Sequence, residues 1–168
     1  MNNCKSFKPS IDNNSKILIL GSMPGVKSLE EQQYYAHPQN RFWKVMGVIC
    51  NVPKLHEYSY ELKLKTLLKN NIALWDTIKS CKREGSLDSD IQNETPNDIK
   101  GLLKKYPNIK TICLNGNKSY LAFKKYFPDL FKKYNCRKVP STSPANARYS
   151  IDILIQEWTY IVLKNELA

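Results

Sequence analysis

Four short strand candidates, the first three of them mainly apolar, are separated by longer stretches of helical periodicity, and this alternation most limits what the chain can fold into. They cover residues 16–20, 72–75, 111–114 and 136–139, and a glycine, aspartate, asparagine or proline follows each one directly. Short continuous apolar runs are typical of parallel strands that are buried on both faces. Strands that alternate with helices predict an α/β fold, here a three-layer α/β/α sandwich around a central, mostly parallel four-stranded sheet.

Helical spacing of apolar residues predicts the intervening helices. The segments are residues 40–50, 60–68, 99–106, 118–126 and 151–162. Two further patterns predict helix starts: a capping box from Ser28 to Glu31, and Thr95 as an N-cap with Pro96 at the first helical position. At 168 residues, the chain is predicted to form a single domain over 1–168, with residues 1–15 as a polar N-terminal extension.

The distribution of charge favours a polyanionic partner. The net charge is +11, and residues 99–168 carry 13 basic and 4 acidic side chains. A lysine-rich composition without any such partner is the plainer reading of the same numbers.

The cysteines and the hydropathy pattern indicate where the protein is located and whether it needs a metal or a cofactor. The five cysteines form no CxxC pair and match no zinc or iron–sulfur pattern, so we expect no metal and no cofactor. A scattered, odd set of cysteines fits a reducing compartment. No apolar run is long enough to span a membrane, and the N-terminus lacks a signal-peptide core, so the predicted location is the cytoplasm.

Ligands of open α/β sheets bind beyond the carboxyl ends of the strands, so the turns after the strands are the candidate site. After the first strand comes Gly-Ser-Met-Pro-Gly at residues 21–25, where glycines let backbone approach a ligand closely. Taken separately, this pentapeptide favours an ordinary strand-to-helix turn over a ligand site. Two more such turns begin at Asp76 and at Asn115.

Residues 32–43 combine two tyrosines, a histidine, amides and an Asn-Arg pair with Phe-Trp. Aromatic rings and amides are what a pocket needs to stack on a nucleobase and read its edge. We assign Trp43 to the core, and place Tyr35 and Asn40 in the expected crevice. His37 could assist a leaving group or simply cap the turn before Pro38.

The last segment, Pro-Ser-Thr-Ser-Pro-Ala-Asn-Ala-Arg at residues 140–148, is a stiff loop of small polar residues. It could donate hydrogen bonds to phosphates and push a wedge into a duplex. The alternative is a helix lead-in with Asn146 as the cap, and the segment does not separate the two.

In order, these segments resemble the hypoxanthine-DNA (deoxyinosine) glycosylases of the uracil-DNA glycosylase superfamily. Residues 73–76 (Ala-Leu-Trp-Asp), 80–81 (Ser-Cys) and 85–88 (Gly-Ser-Leu-Asp) resemble the same family. The resemblance implies a monofunctional glycosylase that flips a deaminated base out of double-stranded DNA and hydrolyses its N-glycosidic bond. We expect such an enzyme to act as a monomer.

The resemblance also assigns roles to individual residues. Much of the wider superfamily has an Asn or Asp that positions the attacking water where this chain has Met23, a thioether that cannot do so. The resemblance implies that Asn40 takes over this catalytic work. The remaining assignments are base binding by Ser22, Tyr35, Phe42 and Asp76, and DNA binding by Ser141, Thr142, Ser143, Pro144, Ala145 and Asn146.

Three other functions fit parts of the pattern. A mismatch-specific uracil or thymine glycosylase shares the superfamily features, but Met23 makes efficient uracil excision a weaker prediction. A non-catalytic module that binds damaged DNA would explain the missing acidic catalyst. A nucleosidase acting on free inosine would not need the basic half of the chain.

Overall fold

The four predicted strands form one parallel sheet. The computed structural model of the chain describes residues 2–164. The sheet contains β2 (Ile17–Gly21), β3 (Ile72–Asp76), β6 (Thr111–Asn115) and β7 (Asn135–Val139) in the order β3-β2-β6-β7. All three strand pairs are parallel. The predicted central sheet is therefore confirmed.

Helices cover both faces of this sheet. They are α1 (Val26–Glu31), α2 (Phe42–Ile49), α3 (Tyr60–Lys69), α4 (Ile99–Lys105), α5 (Asn117–Tyr126), α6 (Pro128–Lys133) and α7 (Ile151–Leu163). Successive strand residues point to opposite faces, so Ile19 packs in one core with α2, α3 and α7. Leu18 and Leu20 pack in a second core with α4, α5 and α6. These two cores are the inner surfaces of the predicted three-layer sandwich.

A second, antiparallel sheet was not predicted. It contains β1 (Asn2–Lys5), β4 (Ile78–Arg83) and β5 (Gln92–Pro96), with β4 in the middle. The outer strands β1 and β5 are polar and mostly exposed, whereas Ile78, Cys81 and Arg83 of β4 are buried. Pairing with β4 holds both outer strands in place. Residues 2–15, predicted as an extension, are tied to the domain by β1 and by a backbone bridge between Ser10 and Leu74.

Two predicted helix starts are wrong. Thr95 and Pro96 belong to β5, and α4 is capped by Asp98, whose side chain accepts from the Gly101 N–H. Helix α1 begins at Val26 with Gly25 as the N-cap, two residues before the predicted capping box. The Ser28 hydroxyl instead accepts from the Ala36 N–H, so it fixes the next loop.

Helix α7 also begins elsewhere than at the alternative cap considered above. Ser150 is its N-cap, and its side chain accepts from the Ile153 N–H. Asn146 lies four residues earlier, within the loop that follows β7. Within residues 2–164, no helix has both the length and the apolar character needed to cross a bilayer.

Candidate active site

A cavity of about 670 Å³ opens at the carboxyl ends of the parallel strands, where the sequence predicted it. Its size is in the range of sites for small organic molecules. The structure brings ten of the predicted site residues to its lining: Ser22, Tyr35, Asn40, Asp76, Ser141, Thr142, Ser143, Pro144, Ala145 and Asn146. The eleventh, Phe42, is fully buried and does not line it.

Tyr35 presents an aromatic surface to the cavity. Its backbone lies in the left-handed region with φ 54°, a conformation that is uncommon for a non-glycine residue. Its ring stacks on Phe42, with centroids 3.8 Å apart and planes inclined by 20°. Burial raises the pKa of Tyr35, so its phenol stays neutral. Phe42 therefore supports the surface without reaching a ligand.

Asn115, at the end of β6, connects this aromatic surface to the loop after β7. Its Nδ2 donates to the Tyr35 hydroxyl at 3.2 Å and to Thr142 Oγ1 at 3.3 Å. Its Oδ1 accepts from the Thr142 backbone N–H at 3.2 Å. The sequence marked only the turn at this position, and the one available signal was a polar residue directly after a buried strand.

Asn40 lies half-buried at the cavity wall, just before α2. Its Oδ1 accepts from the Phe42 backbone N–H at 3.0 Å, which fixes the orientation of the amide because only the oxygen can accept. An amide oxygen can accept two hydrogen bonds, so Asn40 Oδ1 can also accept from a water molecule. His37 is exposed at the rim, and its Nδ1 accepts from the Gln39 N–H at 3.1 Å, as the capping interpretation predicts.

The Gly-Ser-Met-Pro-Gly turn forms another wall. Ser22 donates its hydroxyl to Asp88 Oδ1 at 2.6 Å, so this donor is already engaged. Met23 is buried against Ile78 and Cys81. The buried side chain of Arg83 stabilises the turn by donating a hydrogen bond to the Pro24 carbonyl.

Asp76 ends β3 at the edge of the cavity and is only 4% exposed. Its Oδ2 has no hydrogen-bond partner among residues 2–164. Burial and, to a smaller extent, the charge of Asp88 raise the pKa of this carboxyl to about 7, against the opposing effect of Arg83. Near neutral pH the side chain therefore exists in both protonation states.

Arg41 holds the loop after β7 in shape. Its guanidinium donates to three carbonyls of that loop: Ser143 at 2.8 Å, Asn146 at 3.1 Å, and Tyr149. Its backbone N–H donates to the Thr142 carbonyl at 3.1 Å. Because Arg41 follows Asn40 directly, the same short segment carries the candidate catalytic amide and the support of the loop.

Because the sequence predicts that this loop contacts DNA, we expect that replacing Arg41 by methionine weakens binding of duplex DNA by at least about tenfold. The loop would lose three hydrogen bonds, and ordering even one released residue costs about 1–2 kcal/mol on binding. Fluorescence anisotropy with a labelled duplex measures the change. Arg148→Met is the matched control, because Arg148 is exposed at the rim and its replacement removes one positive charge while the bonds from Arg41 to the loop remain. Equal affinities for the two variants would contradict this role for Arg41.

Basic side chains occur at the cavity rim, but they are not concentrated there. Lys27, Lys138 and Arg148 line the opening. A separate hollow at the opposite end of the sheet is lined by Lys104, Lys110 and Lys133 among others. The positive charge of the second half is thus spread over the surface. Among residues 2–164 no cluster of three or more His, Cys, Asp or Glu side chains could hold a metal ion.

Comparison with known proteins points to one family. Residues 9–161 match the family model described as the uracil DNA glycosylase superfamily. A protein of Methanosarcina acetivorans named hypoxanthine DNA glycosylase is 43% identical over 147 residues, covering 87% of this chain and 90% of the relative. A protein of the same name from Methanosarcina barkeri is 41% identical over 145 residues, covering 86% and 89%.

A solved structure gives the same result for the fold. The solution NMR structure of a proposed uracil DNA glycosylase from Methanosarcina acetivorans superposes with a TM-score of 0.83 at 39% identity. It covers 98% of this chain and 99% of the other.

Proposed function

The chain belongs to the uracil DNA glycosylase superfamily, and from that premise we infer that it is a monofunctional DNA glycosylase that excises hypoxanthine from DNA. The observation that supports hypoxanthine as the substrate is the 43% identity to a hypoxanthine DNA glycosylase over nearly the whole of both chains. The cavity, its aromatic surface and the adjoining loop give this activity a physical basis.

The reaction breaks the bond between C1′ of the deoxyribose and N9 of the base. The electron pair of that bond leaves with the base, and the oxygen of a water molecule forms the new bond to C1′. One proton of the water is released and the base recovers one, so the products are an abasic sugar and neutral hypoxanthine. A base in a duplex must first be flipped out, and a mispaired base flips at lower cost.

We assign Asn40 to the water and Tyr35 to the flipped base. Asn40 cannot act as a strong base, so it orients the water by hydrogen bonding and proximity. Its fixed amide supports this assignment, because an oriented acceptor needs no reorganisation during the reaction. The ring of Tyr35 is held by stacking on Phe42 and by the hydrogen bond from Asn115 to its hydroxyl, which supports its assignment as a stacking surface.

The loop after β7 is the proposed contact with the DNA backbone. Ser141 and Ser143 supply small hydroxyls near phosphates, and Pro144, Ala145 and Asn146 face the duplex. Pro144 and Ala145 are exposed beside the cavity, which supports their assignment to the duplex. Lysines and arginines at the rim add a salt-sensitive attraction to phosphates.

The direct test uses end-labelled duplexes with a single hypoxanthine, uracil or xanthine, followed by alkali cleavage of abasic sites. We expect strong cleavage at hypoxanthine and little at uracil. Cleavage mainly at uracil would contradict the interpretation of Met23 while leaving the enzyme class in place. Tight binding without cleavage of any duplex would instead favour a damage-binding module.

We further propose that the protein acts as a monomer in the cytoplasm. A glycosylase needs one face for its duplex, and the cavity and the loop share that face. The five cysteines are all free, which is the usual state in a reducing compartment. Light scattering with and without a duplex tests the stoichiometry.

A further inference from the structure

The Asp76 carboxyl has an unmet hydrogen-bonding need at the cavity. It lines the cavity and is almost completely buried, yet Oδ2 meets no donor among residues 2–164. A buried carboxylate without donors is costly, so this oxygen needs a proton or a donor from a ligand. The flipped base enters the cavity in the proposed reaction, and its edge can supply such a donor.

The backbone of Gly21 lies so close to the Asp76 carboxyl that the carboxyl has little room to rotate. A Cβ at Gly21 would lie 2.5 Å from Asp76 Oδ1 and 3.3 Å from the Tyr35 hydroxyl. The absence of a side chain at Gly21 thus allows the carboxyl to sit beside the tyrosine that is assigned to stacking. An acid beside a stacking ring is placed to meet the edge of a stacked base.

We propose that the carboxylic acid of Asp76 donates its O–H to the carbonyl oxygen of the flipped base and accepts from the neighbouring ring N–H. This inference rests on the proposed function, and it adds that Asp76 binds the base as a protonated carboxylic acid. A ring N–H beside a carbonyl is the edge that deamination of adenine or cytosine creates.

The acid form is the one that favours departure of the base. Negative charge develops on the leaving base and reaches its carbonyl oxygen, so an O–H bond to that oxygen strengthens in the transition state. An ionised carboxylate at the same place would repel the charge. A buried carboxylic acid that stays neutral to donate a hydrogen bond is a known device of enzyme sites.

The surroundings of Asp76 keep the acid form accessible at neutral pH. Burial and Asp88 raise its pKa, and Arg83 lowers it. Tyr34, Tyr35 and Tyr60 also interact electrostatically with Asp76. All three stay neutral, because burial raises the pKa of each phenol. Arg83 is thus a positioning residue that acts on the reaction only through Asp76 and the turn at Pro24.

The test is the pH dependence of single-turnover hypoxanthine release between about pH 6 and 9 by the full-length enzyme. Because the acid is lost as pH rises through about 7, the rate constant of the wild type should fall above that value, by up to about tenfold per unit. Asp76→Asn keeps a donor and an acceptor that do not titrate, so its rate constant should stay nearly flat. Asp90→Asn, an exposed acid of the neighbouring turn outside the cavity lining, should behave as the wild type.

Arg83→Met gives an independent readout. Without the cation, the pKa of Asp76 rises, so the decline should move to higher pH by about one unit, whereas Arg83→Lys should leave it close to its original position. A wild-type rate constant that is flat or rises across this range would overturn the proposal. So would a parallel decline in the wild type and Asp76→Asn, which would assign the titration to the base, or a folded Asp76→Asn variant that is inactive at every pH. An enzyme that releases no hypoxanthine at any pH contradicts the proposed function instead.

Discussion

Replacing Asn40 by alanine is expected to slow hypoxanthine excision by about 10²–10³-fold and to leave duplex affinity within a few fold. The amide is the only group we assign to the attacking water, and its oxygen is already oriented by the Phe42 N–H. Single-turnover cleavage and anisotropy, measured on the same duplex, separate the two effects.

Two further variants test whether a loss of stability alone explains the loss of activity. The Asn40 side chain also accepts from the Phe42 N–H at the start of α2, and loss of such a hydrogen bond costs about 1 kcal/mol of stability. Asn40→Ser keeps an accepting oxygen but removes the amide, so it should recover stability without recovering the rate. Gln39→Ala, at the exposed neighbouring position, should excise as the wild type does. Cleavage by Asn40→Ala at the wild-type rate would remove Asn40 from the mechanism.

The second large effect is expected at Phe42, in stability and activity together. Phe42→Ala should lower the free energy of unfolding by about 3–5 kcal/mol, the usual cost of deleting a fully buried phenylalanine. The molecules that stay folded should also excise the base more slowly, because Tyr35 loses the ring on which it stacks. Urea denaturation and single-turnover kinetics measure the two quantities.

Phe123 provides the matched control for that experiment. It is equally buried, but it belongs to the core on the other face of the sheet. Phe123→Ala should lose comparable stability while the folded protein keeps its rate constant for excision. Equal rate constants for the two folded variants would show that Phe42 serves the core alone.

The central sheet was predictable because each of its strands carries its own local signal. Residues 17–20 are apolar without interruption, and the turn after them follows at once. The antiparallel sheet had no such signal, because β1 and β5 are polar. Their pairing with β4 joins residues that are 75–81 apart for β1 and 10–18 apart for β5. Pairing of this kind depends on the whole fold, so a local pattern does not reveal it.

The same division holds within the site. Tyr35, Asn40 and the loop at residues 141–146 were predicted because they belong to contiguous motifs. Asn115 and Arg83 were missed because each acts through partners far away in the chain. Phe42 was predicted to bind the base, but the structure places it one layer below, behind Tyr35.

The bonds from Arg41 to the loop after β7 also bear on how the protein meets DNA. Since three carbonyls are already fixed in the free protein, we expect the loop proposed to contact DNA to arrive at the duplex in its binding shape and to lose little conformational entropy there. Encounter should then be governed by diffusion and by the attraction of rim cations for phosphates, not by a folding step. A protein of this kind can sample long stretches of undamaged DNA through many brief contacts, because none of them requires the loop to be reordered.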